Sequence, residues 1–430
     1  MRTDQNLQVI NAIAQKNFNP ALLEKYSGFG GIGMELSEYD YYKKLSSIIP
    51  KDEIAKIKET TKTAYYTPEL LVRFIYKALE NLGFRGGNIV EPASGNGAFI
   101  KHMPKAMRES SKILAIEPEP IAHTIIKSLY PDVKTLNKKF EDVELQANSF
   151  DLVIGNPPYG SCTIEDKSNP DLSKHAIHHY FSSRGVRLLK QNGILAFVIN
   201  AYFMDNIFDH VRDIITKEGG SLLAAYRLPD NVFQNAKVTT DIIFITKTKL
   251  PTRWQKTKSI TIGNQTKQIN EYYINNPQNI LGRLNIIPIY ERTGLVCEEN
   301  GNLIQKLKSK LEELPKNLLQ TYSIKHFLPN LINKSWPSIL EKSNNRLGFQ
   351  NNHVIKSSTP NIQINFVETC YNNNSLSEEE KYYEINIFIP TKLSILNHRF
   401  AVEIIIDKFL QNFIEKKFKY KIFYNYKSCN

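Results

Sequence analysis

The 430-residue sequence is poor in the residues that build metal and disulfide sites. Its four cysteines form no Cys-x-x-Cys pair, and its nine histidines include no His-Glu-x-x-His segment. This scarcity excludes the usual zinc and disulfide frameworks, so we expect no metal site. The cysteines are Cys162, Cys297, Cys370 and Cys429.

Long apolar stretches are also missing. Gly193–Ile199 is typical of the longest uncharged apolar runs, and it falls far short of the roughly 20 residues that cross a bilayer. The N-terminus, Met-Arg-Thr-Asp-Gln-Asn, leads into no apolar signal segment. We therefore expect a cytoplasmic protein without a membrane partner.

Positive charge is in excess. The chain carries 55 basic and 43 acidic residues, a net charge of +12, while its hydrophobic fraction of 41% is enough for a sizeable core. The charge favours an anionic partner, of which nucleic acid is the usual one. A Lys-rich and Asn-rich chain can also reflect the base composition of its gene.

Strands and helices alternate from residue 88 to residue 246, which predicts a mostly parallel α/β sheet with helices on both faces. No helix separates the last two strands, so that edge is expected to be antiparallel. The predicted strands are Asn88–Val90, Ile113–Ile116, Phe150–Ile154, Gly193–Ile199, Leu222–Tyr226 and Asp241–Thr246. The predicted helices include one capped by Thr67 with Pro68 as its first residue, Ile121–Leu129, Ala176–Lys190, Ile207–Ile215, Leu303–Leu314 and Ala401–Lys417.

The pattern divides the chain into four parts. The expected parts are a helical extension at 1–60 with a glycine cluster at Gly28–Gly33, the α/β domain at 61–250, an extension at 251–320, and an Asn-rich region of uncertain fold at 321–430. The last part ends in the aromatic and basic stretch Phe418–Lys427, which is a packed terminal strand, a frayed tail or a DNA contact.

The tetrapeptide Asn156-Pro157-Pro158-Tyr159 follows a predicted strand, where open α/β sheets place their sites. Asn156 offers an amide oxygen, Pro157 a rigidly aimed carbonyl and Tyr159 an aromatic face. Two acceptors beside a stacking surface suit a planar group that bears an amine. Taken alone, the tetrapeptide is also compatible with a rigid turn that ends the strand.

A glycine turn, Glu91-Pro92-Ala93-Ser94-Gly95-Asn96-Gly97, follows the first strand. Two glycines at this spacing let a ligand approach the backbone, although a tight βα turn needs them too. The third glycine of the dinucleotide fingerprint is replaced by Ile100, which argues against a typical NAD enzyme.

Acidic residues follow the next two strands. Glu117 lies about 20 residues beyond the glycines, where a carboxylate accepts both hydroxyls of a ribose. Phe140-Glu141-Asp142 is expected at the end of a third strand, as an aromatic wall and an acceptor for an adenine amine. A helix start and a surface turn are the alternatives. We expect a solvated helix near a loop, rather than a metal site, for the histidines His175, His178 and His179.

The order of these motifs resembles that of class I methyltransferases that use S-adenosylmethionine, and more narrowly the adenine-N6 DNA methyltransferases of the gamma arrangement. Tyr65-Tyr66-Thr67-Pro68 resembles their cofactor-clamping segment. Arg227-Leu-Pro…Phe233 resembles the segment whose aromatic packs on the extruded base. Tyr26-Ser-Gly-Phe-Gly-Gly31 and Ile269–Gly282 are similar to methylases fused to helicases in mobile elements and phages.

The resemblance implies a Rossmann-like methyltransferase that transfers a methyl group from S-adenosylmethionine to the N6 amine of an adenine flipped out of double-stranded DNA. Catalysis falls to Asn156, Pro157, Pro158 and Tyr159, with Tyr159 and Phe233 stacking on the base. The implied cofactor site is Tyr66, Thr67, Pro68, Glu91, Ala93, Ser94, Gly95, Gly97, Glu117, Glu141, Asp142 and Asn156. Target recognition would lie C-terminal to the α/β domain.

Other functions remain open at this stage. Methyltransferases of RNA bases or of protein glutamine share the tetrapeptide, and a truncated relative that only binds DNA is a further alternative. A restriction enzyme with a fused nuclease lacks support, because no Asp…Glu-x-Lys constellation stands out. No Gly-x4-Gly-Lys-Ser/Thr loop occurs, so a helicase or restriction subunit would be a separate chain.

Overall fold

The computed structural model describes residues 2–31, 35–61, 65–160, 162–208, 210–233, 237–248, 251–289 and 292–314, and the backbone of four strands beyond them. The chain divides into two compact units, Met1–Leu319 and Gln320–Asn430. Within the described residues, no helix is both long and apolar enough to cross a membrane.

The described helices of the first unit are α1 (Arg2–Ala14), α2 (Pro20–Leu23), α3 (Tyr39–Ser46), α4 (Lys51–Thr60), α5 (Glu69–Leu82), α6 (Ala98–Lys101), α7 (Lys105–Glu109), α8 (Pro120–Leu129), α9 (Ile177–Leu188), α10 (Tyr202–Asp205), α11 (His210–Lys217), α12 (Glu271–Asn275) and α13 (Leu303–Glu313). Its strands are β1 (Asn88–Glu91), β2 (Lys112–Ile116), β3 (Lys134–Leu136), β4 (Phe150–Gly155), β5 (Leu189–Asn200), β6 (Gly220–Arg227), β7 (Thr240–Lys247), β8 (Thr257–Ile262), β9 (Gln265–Asn270), β10 (Arg283–Ile289) and β11 (Arg292–Glu298).

Seven strands form the central sheet in the order β3-β2-β1-β4-β5-β7-β6. The neighbours from β3 to β5 run parallel, and β7 pairs antiparallel with both β5 and β6. This topology confirms the predicted fold class. The antiparallel strand lies one place inside the sheet, because β7 inserts between β5 and β6. Its residues Ile242–Ile245 are fully buried, as expected of a strand covered on both faces.

Helix α5 covers one face of the sheet with an apolar stripe that includes Leu71, Ile75 and Leu79. The predicted cap at Thr67 is wrong by one residue, because Pro68 has an extended ψ of 142° and is itself the cap. The helix ends at Gly83, whose φ of 97° lies in the left-handed region that glycine favours.

The predicted helix Ile207–Ile215 corresponds to α11, which starts three residues later, and a separate short helix, α10, precedes it. The guanidinium of Arg212 donates to the carbonyls of Phe203 and Met204 at 3.1 Å and of Asn206 at 2.7 Å. These bonds satisfy carbonyls at the end of α10, so the chain turns there instead of continuing as one helix.

The N-terminal helices pack onto the sheet unit through α8. Their shared core includes Val9, Leu45 and Ile57 together with Ile121 and Ile125 of α8. Helix α8 directly follows β2, so these helices lie close to the carboxyl ends of the strands.

The second unit contains a sheet of four strands, β12 (Asn351–Lys356), β13 (Gln363–Cys370), β14 (Lys381–Pro390) and β15 (Ile422–Cys429). Strands β14 and β15 are parallel, and the other two pairs are antiparallel. Most of the aromatic stretch Phe418–Lys427 is therefore strand. The predicted helix Ala401–Lys417 lies outside the described residues.

Candidate functional site at the carboxyl edge of the sheet

The predicted site residues meet at one edge of the sheet. We call this the carboxyl edge and define it as the ends of β1, β2, β4 and β5. Parallel strands end at the same edge, so the glycine turn, Glu117 and Asn156 become neighbours. The backbone N–H of Gly95 donates to Glu117 Oε2 at 2.7 Å, which joins the first two of them directly.

The glycine turn needs both of its glycines. Gly95 and Gly97 have φ values of 53° and 81°, which other residues rarely adopt. A Cβ at Gly95 would lie 2.8 Å from the ring of Tyr66, so the close packing of that ring also requires glycine. Ser94 is buried and donates to the carbonyl of Ile116, which fixes the turn against β2.

Glu117 presents an anchored carboxylate. Its Oε1 accepts the N–H of Glu119 at 2.9 Å, while Oε2 holds Gly95. Burial raises the pKa of Glu117 from 4.5 to about 7. A carboxylate has about four lone-pair sites, so two remain available for hydroxyl groups of a ligand.

Glu119 and Tyr26 form a buried pair beside this site, and the sequence-based prediction omitted both from its site residues. The Tyr26 hydroxyl donates to Glu119 Oε2 at 2.9 Å, and Glu119 also caps α8 through the N–H groups of Ile121 and Ala122. Burial raises the pKa of Glu119 to about 7. The available signal was a second glutamate two residues after Glu117.

Glu91, at the end of β1, is 2% exposed. Burial, followed by the charge of Glu117, raises its pKa well above 4.5. Ala93 is half-buried in the turn that follows. The three glutamates make this part of the carboxyl edge acidic, although their own burial opposes full ionisation.

The Tyr65–Pro68 segment connects the glycine turn to the tetrapeptide. The Tyr65 carbonyl accepts the Asn156 side-chain N–H at 2.7 Å. The ring of Tyr66 approaches Gly28 as well as Gly95, because a Cβ at Gly28 would lie 2.7 Å from its hydroxyl. Thr67 is buried behind it. The segment thus lies where the predicted clamp belongs.

The Asn156 amide is oriented from both ends. Its Nδ2 donates to Tyr65, so Oδ1 points the other way and accepts the hydroxyl of Tyr159. That hydroxyl also lies 3.2 Å from the Val198 carbonyl. Tyr159 is 9% exposed, and burial raises its pKa well above 10. Pro157 is buried and Pro158 half-buried.

The Phe140–Asp142 segment is a 3-10 turn, four residues beyond the end of β3. Glu141 is half-buried and Asp142 is exposed, so both remain open to a ligand. The predicted aromatic wall is wrong, because Phe140 is 1% exposed and packs against Phe181 and the guanidinium of Arg184.

Phe233, the second predicted stacking residue, is 3% exposed, so its ring is covered by protein. Residues 234–236 of the same motif lie outside the described residues.

The histidine helix is not solvated as predicted. His178 and His179 are buried, and burial lowers their pKa values to about 4 and about 3. In the part of the chain that the structure describes, no cluster of three or more His, Cys, Asp or Glu side chains could hold a metal ion.

The Ile269–Gly282 segment is attached to the sheet through Arg227. This buried guanidinium donates twice to Asp241 and once to Asp205, and it lies 4.3 Å from the ring of Tyr273. The backbone carbonyl of Arg227 accepts the N–H of Leu281 at 2.9 Å. Residues far apart in the sequence therefore share one charged cluster behind the site.

Comparison with known proteins agrees with this geometry. Residues 98–221 match the family model of the Eco57I restriction-modification methylase. The Type II methyltransferase M.TthHB8I of Thermus thermophilus is 28% identical over 194 residues, which cover 41% of this chain and 43% of that protein. The Type II methyltransferase M.CvrRI of Paramecium bursaria Chlorella virus XZ-6E is 24% identical over 212 residues, which cover 46% and 52%.

The chain thus spans about half of the length of the relatives it matches. Among solved structures, the methyltransferase subunit of a type I restriction-modification system from Streptococcus thermophilus aligns with a TM-score of 0.38 at 14% identity, over 72% of this chain and 78% of that one.

S-adenosylmethionine is the cofactor of class I methyltransferases, whose fold this chain has, and the carboxyl edge fits it. Glu117 offers anchored acceptors for ribose hydroxyls, and the glycine turn exposes backbone beside it. Asn96 has a buried Oδ1 without a hydrogen-bond partner, an acceptor suited to an amine. The strand order and the meeting of the motifs confirm the class I methyltransferase fold. Residues 98–221 are similar to restriction-modification methylases that use S-adenosylmethionine.

Proposed function

We propose that the protein transfers a methyl group from S-adenosylmethionine to the N6 amine of an adenine flipped out of double-stranded DNA. The observation that carries this proposal is the Asn156 amide, fixed by the Tyr65 carbonyl and the Tyr159 hydroxyl at the edge that also holds Glu117. The matched restriction-modification family supports DNA as the substrate.

Asn156 and Pro157 would hold the target amine. A carbonyl oxygen has two lone pairs, so Asn156 Oδ1 accepts Tyr159 and retains one for an amine hydrogen. The Pro157 carbonyl would accept the second hydrogen. These groups are neutral, and they need not remove a proton before transfer. Their contribution is a polar arrangement that is already formed when the substrate arrives.

The cofactor would be held by the acidic part of the carboxyl edge. Glu117 would accept the ribose hydroxyls of the cofactor, and Glu141 or Asp142 would face the adenine ring of the cofactor. Tyr66, Thr67 and Pro68 would close over the glycine turn. When bound, S-adenosylmethionine supplies an electrophilic methyl group.

The target base must leave the duplex, because its amine is unreachable within the stack. Tyr159 and Phe233 would then contact the flipped base. Both rings are buried, so this role requires them to be uncovered when DNA binds. The net charge of +12 supports phosphate contacts, whose strength should fall steeply with salt.

The decisive experiment measures transfer of labelled methyl from S-adenosylmethionine to unmethylated duplex DNA, with mass spectrometry of the nucleosides. We expect N6-methyladenine from the wild type. Asn156→Ala should lower the turnover by about a hundredfold to a thousandfold, the usual cost of removing one preorganised polar group.

Asn81→Ala is a matched control, because Asn81 is also half-buried and also donates to one backbone carbonyl, that of Leu311. It should retain the wild-type turnover. Wild-type turnover by Asn156→Ala would refute the assigned site. Methylation of RNA or of a protein glutamine, with none of DNA, would refute the proposed substrate.

A further inference from the structure

Two large apolar side chains stand exposed beside the carboxyl edge. Ile207 is 56% exposed and Phe208 is 64% exposed, and Tyr202, five residues before Ile207, is 55% exposed. This stretch directly follows β5, which pairs in parallel with β4, the strand that leads to Asn156. A cluster of exposed apolar side chains at such a position is a typical binding surface.

The exposure is built into an ordered turn. Asn206 is buried, and its side-chain oxygen accepts the backbone N–H of Phe208 at 3.0 Å. Its carbonyl accepts the buried guanidinium of Arg212. From the other side, the Asn270 side chain donates to the Met204 carbonyl at 2.9 Å. Buried polar groups thus fix the backbone and leave Ile207 and Phe208 facing solvent.

The turn also contacts the segment that follows the tetrapeptide. The ring centroids of His210, at the start of α11, and His175 are 5.3 Å apart. His175 precedes Ala176, which forms a β-bridge with Thr163, four residues beyond Tyr159. The exposed pair is therefore attached to the segment that begins at the tetrapeptide.

We propose that Ile207 and Phe208 enter the DNA duplex and fill the gap left by the flipped adenine. This inference rests on the proposed function. An emptied position in a base stack exposes two apolar base faces, and apolar side chains that insert between base steps cover such faces. The net charge of +12 favours the approach of DNA to the protein as a whole.

The test compares two duplexes that differ opposite the target adenine. One has the normal thymine, and the other has an abasic site, which leaves the adenine unpaired. Phe208→Ala should lower kcat/KM about tenfold on the normal duplex, since an aromatic–base stack is usually worth that much. The loss should largely vanish on the abasic duplex, where flipping is already easier.

Tyr39→Ala is the matched control, because Tyr39 is 76% exposed on α3 and outside the proposed surface. It should leave both duplexes unaffected. 2-Aminopurine at the target position should report less flipping with Phe208→Ala than with the wild type. Ile207→Ala should act in the same direction.

The outcomes separate the two proposals. A wild type that methylates no DNA overturns both. A wild type that methylates DNA, with Phe208→Ala equal to it on both duplexes, overturns only the gap-filling role and leaves this surface to another partner. An equal loss on both duplexes also overturns it, because that result indicates a general contact.

Discussion

The two halves of the carboxyl edge differ in charge. The half formed by β1 and β2 carries three buried glutamates whose pKa values are all raised by burial. The half formed by β4 carries neutral groups, the Asn156 amide, the Pro157 carbonyl and the Tyr159 hydroxyl. Burial keeps Tyr159 protonated. Ionisable groups thus belong to the part that would bind the cofactor, and neutral acceptors to the part that would hold the amine.

This difference separates binding from chemistry. A change of pH near neutrality should alter the acidic half and leave the neutral half unchanged. Substitutions at the two halves should therefore differ in their pH dependence as well as in the step that they affect.

The largest effect after the loss of Asn156 should come from Glu119→Gln. Burial raises the pKa of Glu119 from 4.5 to about 7, so the folded protein holds this proton more tightly than the unfolded chain. The stability that this group contributes is complete below the unfolded pKa and is lost as pH rises through about 7. From about pH 4.5 to about pH 8, the stability of Glu119→Gln relative to the wild type should therefore rise by up to about 3 kcal/mol.

Urea unfolding of both proteins at about pH 8 and at about pH 4.5 measures this change in relative stability. Glutamine keeps one oxygen, so the cap of α8 loses either the Ile121 bond at Oε1 or the Ala122 bond at Oε2, and this loss is the same at both pH values. Glu38→Gln, an exposed glutamate, is the control. A stability gain that does not depend on pH would contradict the assignment.

The next effect concerns the affinity for the cofactor. Glu117→Gln should raise the Kd for S-adenosylmethionine about tenfold to a hundredfold above neutral pH, because a charged acceptor is lost. Below about pH 7 the wild type should approach the variant, since Glu117 itself becomes protonated. Calorimetric titration across this range checks the prediction.

Glu38→Gln serves as the control for this titration too. A ratio of affinities that stays constant from about pH 5 to about pH 8 would show that ionised Glu117 does not contact the cofactor. The proposed methyl acceptor would be unaffected by that result.

The smallest expected effect is a change in kcat caused by a substitution in the neutral half of the carboxyl edge. Tyr159→Phe keeps the ring and removes the hydroxyl that orients Asn156, so kcat should fall about fivefold, the usual worth of one hydrogen bond. The loss should be the same across the neutral pH range. A loss as large as that of Asn156→Ala would mean that the hydroxyl does more than orient the amide.

The sequence predicts the central sheet well, because its buried strands are short apolar runs separated by turns and helices. It expects a third strand that ends near Phe140 but gives that strand no bounds, since β3 (Lys134–Leu136) has only three residues and no apolar pattern. It also misses the hairpins β8–β9 and β10–β11, whose strands are largely exposed. The Asn-rich composition likewise gave no sign of the strands β12–β14, whereas a packed strand was one of the alternatives for the stretch that contains most of β15.

The sequence predicts those site residues that belong to a motif directly after a strand. It does not predict the contacts that join distant segments of the chain. Strand order alone brings Gly95, Glu117 and Asn156 together. The contact of Asn156 with Tyr65 spans 91 residues, and that of Tyr26 with Glu119 spans 93. Such contacts depend on how the N-terminal helices pack, which local periodicity does not encode. Burial of Phe140 follows from the same kind of packing.

The Arg227 cluster has a consequence for inheritance. The Arg227 guanidinium binds Asp205 and Asp241 within the α/β domain and also lies over the ring of Tyr273. The backbone carbonyl of Arg227 accepts the N–H of Leu281. A recombination event that replaced residues 269–282 alone would keep both carboxylates but remove the Tyr273 ring from the buried guanidinium, a contact worth about 2 kcal/mol when it is desolvated. The segment and the sheet should therefore pass between genomes together.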